Sequence, residues 1–148
     1  MQLHVPEIAQ RGEMLRAYLR AEGSTLPDNV SELAMITTAR ELDCQFIWHA
    51  HAAAGRRAGL RNALVDALRD KQELPPLSPA ESAVINYGRE FFRTRRVSQA
   101  TFDTALAEFG SRGLVELTNL MGYYLLLAFN INDFEQLPPP SDEPILPV

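Results

Sequence analysis

An all-helical, single-domain fold is the architecture this sequence predicts, and three observations predict it. Strand signals are nearly absent: there is no Asn-Gly or Asp-Gly hairpin turn and no run that alternates with period two. Apolar residues recur instead at three- and four-residue spacing, segment after segment. The breaks between segments carry the Gly, Pro, Ser and Thr residues that start and stop helices. With 148 residues, 46% of them hydrophobic and 22% charged, the chain has the size of one domain that buries a real core. The expectation is a bundle of about seven helices over residues 1–137, followed by a proline-rich tail at 138–148.

Residues 6–22 carry Ile8, Met14, Leu15, Tyr18 and Leu19 at helical spacing. Gly23, Ser24 and Thr25 end that segment, and Pro27 precedes the next. Over residues 28–41, Val30, Leu33, Ala34, Ile36 and Thr37 are spaced for burial. A third helix is expected from about Cys44 to Ala58, stopping at Gly59. Residues 61–71 make a short amphipathic helix that runs into the loop Leu74-Pro75-Pro76-Leu77-Ser78-Pro79. Ser78-Pro79-Ala80-Glu81 then reads as an N-cap, a proline at the first helical position and a carboxylate two positions on. That helix runs to about Thr94. Ser98 begins another, with Phe102, Ala105, Leu106 and Phe109 on its apolar side. The last, roughly 112–132, is apolar nearly all round from Leu114 to Ile131, which predicts a place inside the fold or in an oligomer interface. The tail from Pro138 to Val148 has five prolines in eleven residues. It is either loose or laid along a partner surface.

Charge and composition exclude several functions. Net charge is −5, the pI is near 5.2, and the arginines are scattered, so no basic stripe marks a nucleic-acid partner. The stretch Leu120 to Ile131 is too short to span a bilayer. Met1 to Arg11 lacks the pattern of a signal peptide, so a cytoplasmic protein is expected. The single cysteine rules out an intrachain disulfide and a C-x-x-C redox pair. Neither Gly-rich phosphate loops nor a G-x-S-x-G elbow occurs, and no cofactor is expected. His4, His49 and His51 lack a convincing set of metal ligands, since helical chelates use i and i+4.

One set of residues carries chemistry. Glu32, Cys44 and His51 are a carboxylate, a thiol and an imidazole at intervals that two packed helices bring together. If Asp43 caps the helix, Cys44 lies in its first turn, and Ile47, Trp48 and His51 follow on the same face. The positive helix end there is expected to lower the thiol pKa. Cys44 is otherwise an inert buried residue or half of an intermolecular bridge. An imidazole held by Glu32 serves as acid or base near neutral pH. Trp48 and Ile47 either line a substrate pocket or fill the core. Tyr123 and Tyr124 either lend a hydroxyl to that pocket or tie it to a backbone carbonyl.

Leu26-Pro27, Glu32-Leu33-Ala34, Ala39-Arg40, Cys44, Trp48, His51 and Gly59-Leu60 fall in step with the pattern of the carboxymuconolactone decarboxylase family, which includes the alkylhydroperoxidase D proteins. Ser78 to Ala83, Val97-Ser98 to Phe102 and Leu117 to Tyr124 resemble its later helix openings, so the likeness covers nearly the whole chain. The resemblance implies an all-helical domain that assembles into trimers or hexamers. In the family's peroxidase branch a glutamate, a C-x-x-C pair and a histidine follow in order. Glu32, Cys44 and His51 match the glutamate, the first cysteine and the histidine, but Ile47 replaces the second cysteine and Phe46 a histidine between the two. A two-cysteine cycle therefore cannot run within one chain.

The resulting expectation is a small oligomeric enzyme acting on a small organic molecule or a hydroperoxide. Its pocket residues would be Glu32, Cys44 and His51, with Ile47, Trp48, Tyr123 and Tyr124 around the substrate. It would work by proton transfer or as a one-thiol reductant that an external thiol restores. The alternative is a degenerate member that binds a ligand or partner without catalysis.

Overall fold

The computed structural model describes residues 5–20, 23–140 and 142–147. His4, the expected end of the first helix at 21–22, and tail residues 141 and 148 lie outside the described residues. The described residues form six helices and no strand: α1 (Pro6–Leu19), α2 (Asp28–Glu41), α3 (Gln45–Arg57), α4 (Asn62–Arg69), α5 (Pro79–Thr94) and α6 (Gln99–Asp133). The expected sixth and seventh helices are one 35-residue run, interrupted only at Gly110, whose backbone turns left-handed (φ 67°, ψ 174°). Without a Cβ, Gly110 absorbs the change of direction in a single residue, so no loop is needed.

α2 is the centre of the molecule. Every residue from Val30 to Arg40 is buried, because α3, α5 and α6 pack around it and α4 touches it as well. The fully buried side chains of Leu33, Met35 and Ile36 contribute about 1.5–3 kcal/mol each. Polar groups on so enclosed a helix cost free energy unless paired internally, and among the described residues Thr37 Oγ1 and Arg40 Nε are buried without a partner. Thr38 Oγ1 donates to the Ala34 carbonyl at 2.8 Å, and Arg40 pairs with Asp43. Glu41, at the α2 end, receives a two-point contact from Arg93 of α5, each bond 2.7 Å. α5 starts with the full capping box that Ser78 and Glu81 predict: Glu81 N–H donates to Ser78 Oγ (3.2 Å) and Ser78 N–H to Glu81 Oε2 (2.7 Å).

The nearly all-apolar stretch of α6 is only partly enclosed by its own chain, for Val115, Leu126 and Phe129 stay exposed, Phe129 at 73%. By length and composition α6 as a whole is apolar enough to cross a bilayer, which Leu120 to Ile131 alone is not. Half of its most apolar window is packed inside the fold. The expectation of a loose tail is corrected: residues 144–147 lie against α2 and α3 of their own chain, with Leu146 1% exposed in the core. Prolines keep the tail extended, and the backbone carbonyls this frees are taken by side chains of the helices.

The connection before α2 is fixed by one buried carboxylate. Glu116 of α6 accepts from the Thr25 amide and hydroxyl (2.7 Å each), Ser24 Oγ (3.2 Å) and Arg112 Nε (2.9 Å). Burial pushes its pKa up, but the bonds from Thr25, Arg112 and Ser24 outweigh burial and hold it below the ordinary glutamate value. A depressed folded pKa stabilises the fold fully above the unfolded value, about 4.3, and that contribution disappears as pH falls through the folded value. Glu116→Gln should therefore cost about 1–3 kcal/mol at pH 7. The urea midpoints of wild type and variant should converge as the solution is acidified; a gap that stays constant would contradict this.

Candidate active site at the α2–α3 joint

The joint is tight. Asp43 adopts a left-handed backbone (φ 48°), which Asp tolerates better than most side chains. The Cys44 amide then reaches back to the Ala39 carbonyl at 2.8 Å. Cys44 is thus the N-cap residue of α3, not a residue of its first turn, and Asp43 is spent on Arg40 rather than on capping. Cys44 makes no side-chain cap hydrogen bond; the first-turn amides of Ile47 and Phe46 draw its thiol pKa down, yet burial prevails and raises it. The expected depression by the helix end is overturned, because Cys44 has no exposed surface and a buried thiolate loses its hydration. No hydrogen bond joins Cys44 to Glu32 or His51 among the described residues. Ile47 and Trp48 are also in the core, and Trp48 Nε1 donates to the Pro144 carbonyl of the tail at 3.0 Å.

Glu32 and His51 do meet. Glu32 Oε2 lies 2.8 Å from His51 Nδ1, with the two side chains 4% and 12% exposed. Gly55, one turn beyond His51, permits this approach: a Cβ there would stand 3.5 Å from Glu32 Cβ and 2.8 Å from Leu60 Cδ1. A larger residue at 55 would displace Leu60 or lift α3 from α2. The carboxylate only accepts, so Nδ1 carries the proton and Nε2 of the neutral ring keeps its lone pair.

The other oxygen of Glu32 is held by a residue that sequence reasoning missed. Arg20, the C-cap of α1, places Nη2 2.7 Å from Glu32 Oε1 and Nη1 3.8 Å from Met35 Sδ. Its guanidinium also donates to the Tyr124 hydroxyl. Tyr124 stands edge-on to the His51 ring, centroids 5.0 Å apart, and Tyr123 stands edge-on to Tyr124 at 5.7 Å. Burial raises the pKa of both tyrosines, which keeps the hydroxyls protonated and able to donate. Four elements therefore converge on one carboxylate: Arg20 ending α1, Glu32 on α2, His51 on α3 and Tyr124 on α6. The one sequence signal for Arg20 is charge balance, since a buried acid facing a neutral ring needs a cation.

None of the cavities described among these helices has Glu32, Cys44 or His51 in its lining. A cavity of about 190 Å³ between α5 and α6 is lined by Tyr87, Phe91, Phe92, Met121 and Leu125, with Thr118 and Gly122, none of them a candidate. Among the described residues no group of three or more His, Cys, Asp or Glu gathers to hold a metal.

The sequence model of the carboxymuconolactone decarboxylase family matches residues 6–90, more than half of the chain, and the chain belongs to that family. It is similar in structure to a protein of unknown function from Agrobacterium tumefaciens, proposed to be the antioxidant defence protein AhpD. That likeness has a TM-score of 0.84 at 18% identity and covers 95% of this chain and 96% of the other. At that identity it establishes the fold alone. No functionally curated protein matches the chain.

Proposed function

We propose that this chain is a small-molecule enzyme in which His51, oriented by Glu32, moves a proton on an organic substrate. The observation that carries this reading is the 2.8 Å pairing of Glu32 Oε2 with His51 Nδ1. It leaves Nε2 as the basic atom and puts the negative charge behind the ring, where it stabilises the imidazolium formed on proton uptake. Arg20 supplies a countercharge to the buried Glu32, and Tyr124 fixes the ring from its edge. The family's name describes a decarboxylation. In such a step the bond to the departing carboxylate breaks, its electron pair passes into a conjugated carbonyl as CO₂ leaves, and a protonated Nε2 returns a proton to carbon.

A second reading, one-thiol reduction of hydroperoxides, is favoured by one observation: Cys44 is the N-cap residue of α3, where the first-turn amides of Ile47 and Phe46 draw the thiol pKa down against burial. The thiolate would attack the peroxide, giving a sulfenic acid and an alcohol. Two equivalents of an external thiol would then release water and restore Cys44. The buried, proton-retaining state of Cys44 makes this the weaker reading.

The test assays CO₂ release from carboxymuconolactone, and cumene hydroperoxide consumption with dithiothreitol as donor. Turnover of the lactone should fall at least about 100-fold in His51→Gln, fall less in Glu32→Gln and Arg20→Met, and persist in Cys44→Ser. Unchanged turnover in His51→Gln would sink the proton-transfer reading. Peroxide consumption that vanishes in Cys44→Ser, with the lactone untouched by wild type, would favour the thiol. No turnover of either compound would favour a binding role.

We also propose that the chain works as a homo-oligomer, a trimer or hexamer. The support is the exposed apolar stripe of Val115, Leu126 and Phe129 on α6, larger than scattered surface residues require. Light scattering should give a multiple of 16.6 kDa, reduced by Phe129→Glu; a clean monomer at micromolar concentration would contradict it.

A further inference from the structure

The C-terminal segment crosses the α2–α3 joint in a way that the proposed chemistry does not use. Gln45 reads both main-chain groups of one tail residue: its Nε2 donates to the Leu146 carbonyl at 2.7 Å, and its Oε1 accepts from the Leu146 amide at 2.8 Å. Arg40 donates to the Pro147 carbonyl (3.3 Å) and Trp48 Nε1 to the Pro144 carbonyl (3.0 Å). Arg56 pairs with Glu143 at 3.2 Å. The anchors on the helices are thus Arg40, near the end of α2, Gln45 at the start of α3, and Trp48 one turn further. Cys44 lies between them in sequence and at the joint they frame.

Cys44 has no exposed surface, although Asp43 on one side is open to solvent and Gln45 on the other is half-buried. The tail passes this joint at Gln45, the residue next to Cys44. Along the tail, burial is confined to one side chain among the described residues. Ile145 is exposed, only Leu146 is sunk into the core, and the approach through Phe134 and Leu137 is exposed. Pro144 and Pro147 donate no amide bonds.

We propose that residues 142–147 form a releasable strap that sets whether Cys44 can be reached from solvent. With the strap seated, Leu146 closes the joint and the thiol is shielded. With it lifted, Leu146, the Gln45 amide and the Trp48 indole N–H are uncovered together. The chain's one cysteine and one tryptophan both stand at this joint, so each reports the same event. The proposal holds whichever chemistry the molecule performs, because its readout is access rather than turnover.

Ellman's reagent tests it: the Cys44 thiolate attacks the reagent disulfide and releases one coloured thiolate per chain. A chain ending at Leu137 should react at least about tenfold faster than the full chain, with Trp48 emission shifted to the red; Gln45→Ala should lie between the two. A truncated chain that keeps its helical circular dichroism, yet reacts at the full-length rate with Trp48 emission unmoved, would overturn the strap. If truncation unfolds the chain, the full-length protein decides. A labelling rate flat across low urea marks strap release by local opening. A rate rising with urea as steeply as global unfolding would overturn it.

Discussion

A single buried carboxylate governs the arrangement of this molecule. Glu32 sits in the middle of the most enclosed helix, where an ion stripped of water costs several kcal/mol unless its lone pairs are filled. They are filled from two sides, by the guanidinium of Arg20 at 2.7 Å and the Nδ1 proton of His51 at 2.8 Å. Those donors come from α1 and α3, and Tyr124 of α6 closes on both. The helices that enclose α2 are thereby held in one register, since a small slip of any of them would leave the acid unpaired. The latch of Glu116 on Thr25 serves the same end, because it fixes the connection between the helix that supplies Arg20 and the helix that carries Glu32.

The imidazole and the thiol have different settings. His51 has a charged partner and an edge-on aromatic neighbour. Cys44 has no hydrogen-bond partner for its sulfur among the described residues, and burial favours its protonated form. Membership of the carboxymuconolactone decarboxylase family leaves decarboxylation and peroxide reduction both open; the local electrostatics favour the histidine. The tail adds a second layer, which in our proposal shields the thiol.

Much of this was legible in the sequence, and the failures have identifiable causes. Local chemistry was read well where it is self-contained: the Ser78–Glu81 capping box, the break after Ala58 and the spacing that puts His51 within reach of α2. The helices beginning at Ser98 and near residue 112 were read as separate, and they do differ in direction across the kink at Gly110, but that they adjoin with no loop between them was not legible. Asp43 and Cys44 were placed one position too far into α3, because the left-handed turn at Asp43 depends on its pairing with Arg40. The tail was misjudged since its partners, Gln45 and Trp48, lie about a hundred residues away in sequence. Arg20 was missed for a related reason: its role exists only once α1 folds back against α2, and nothing in its own neighbourhood marks it.

The central claim is that Glu32 holds His51 through Nδ1 and leaves Nε2 free to react. Long-range nitrogen–proton correlation in a chain labelled with ¹⁵N-histidine, at a pH where the ring is neutral, reads this directly, with His51→Gln identifying the signal among the three histidines. The expected spectrum has the proton on Nδ1 and a bare Nε2, a preference that Glu32→Gln weakens. A His51 ring protonated on Nε2 in the wild-type chain would contradict the account at its root.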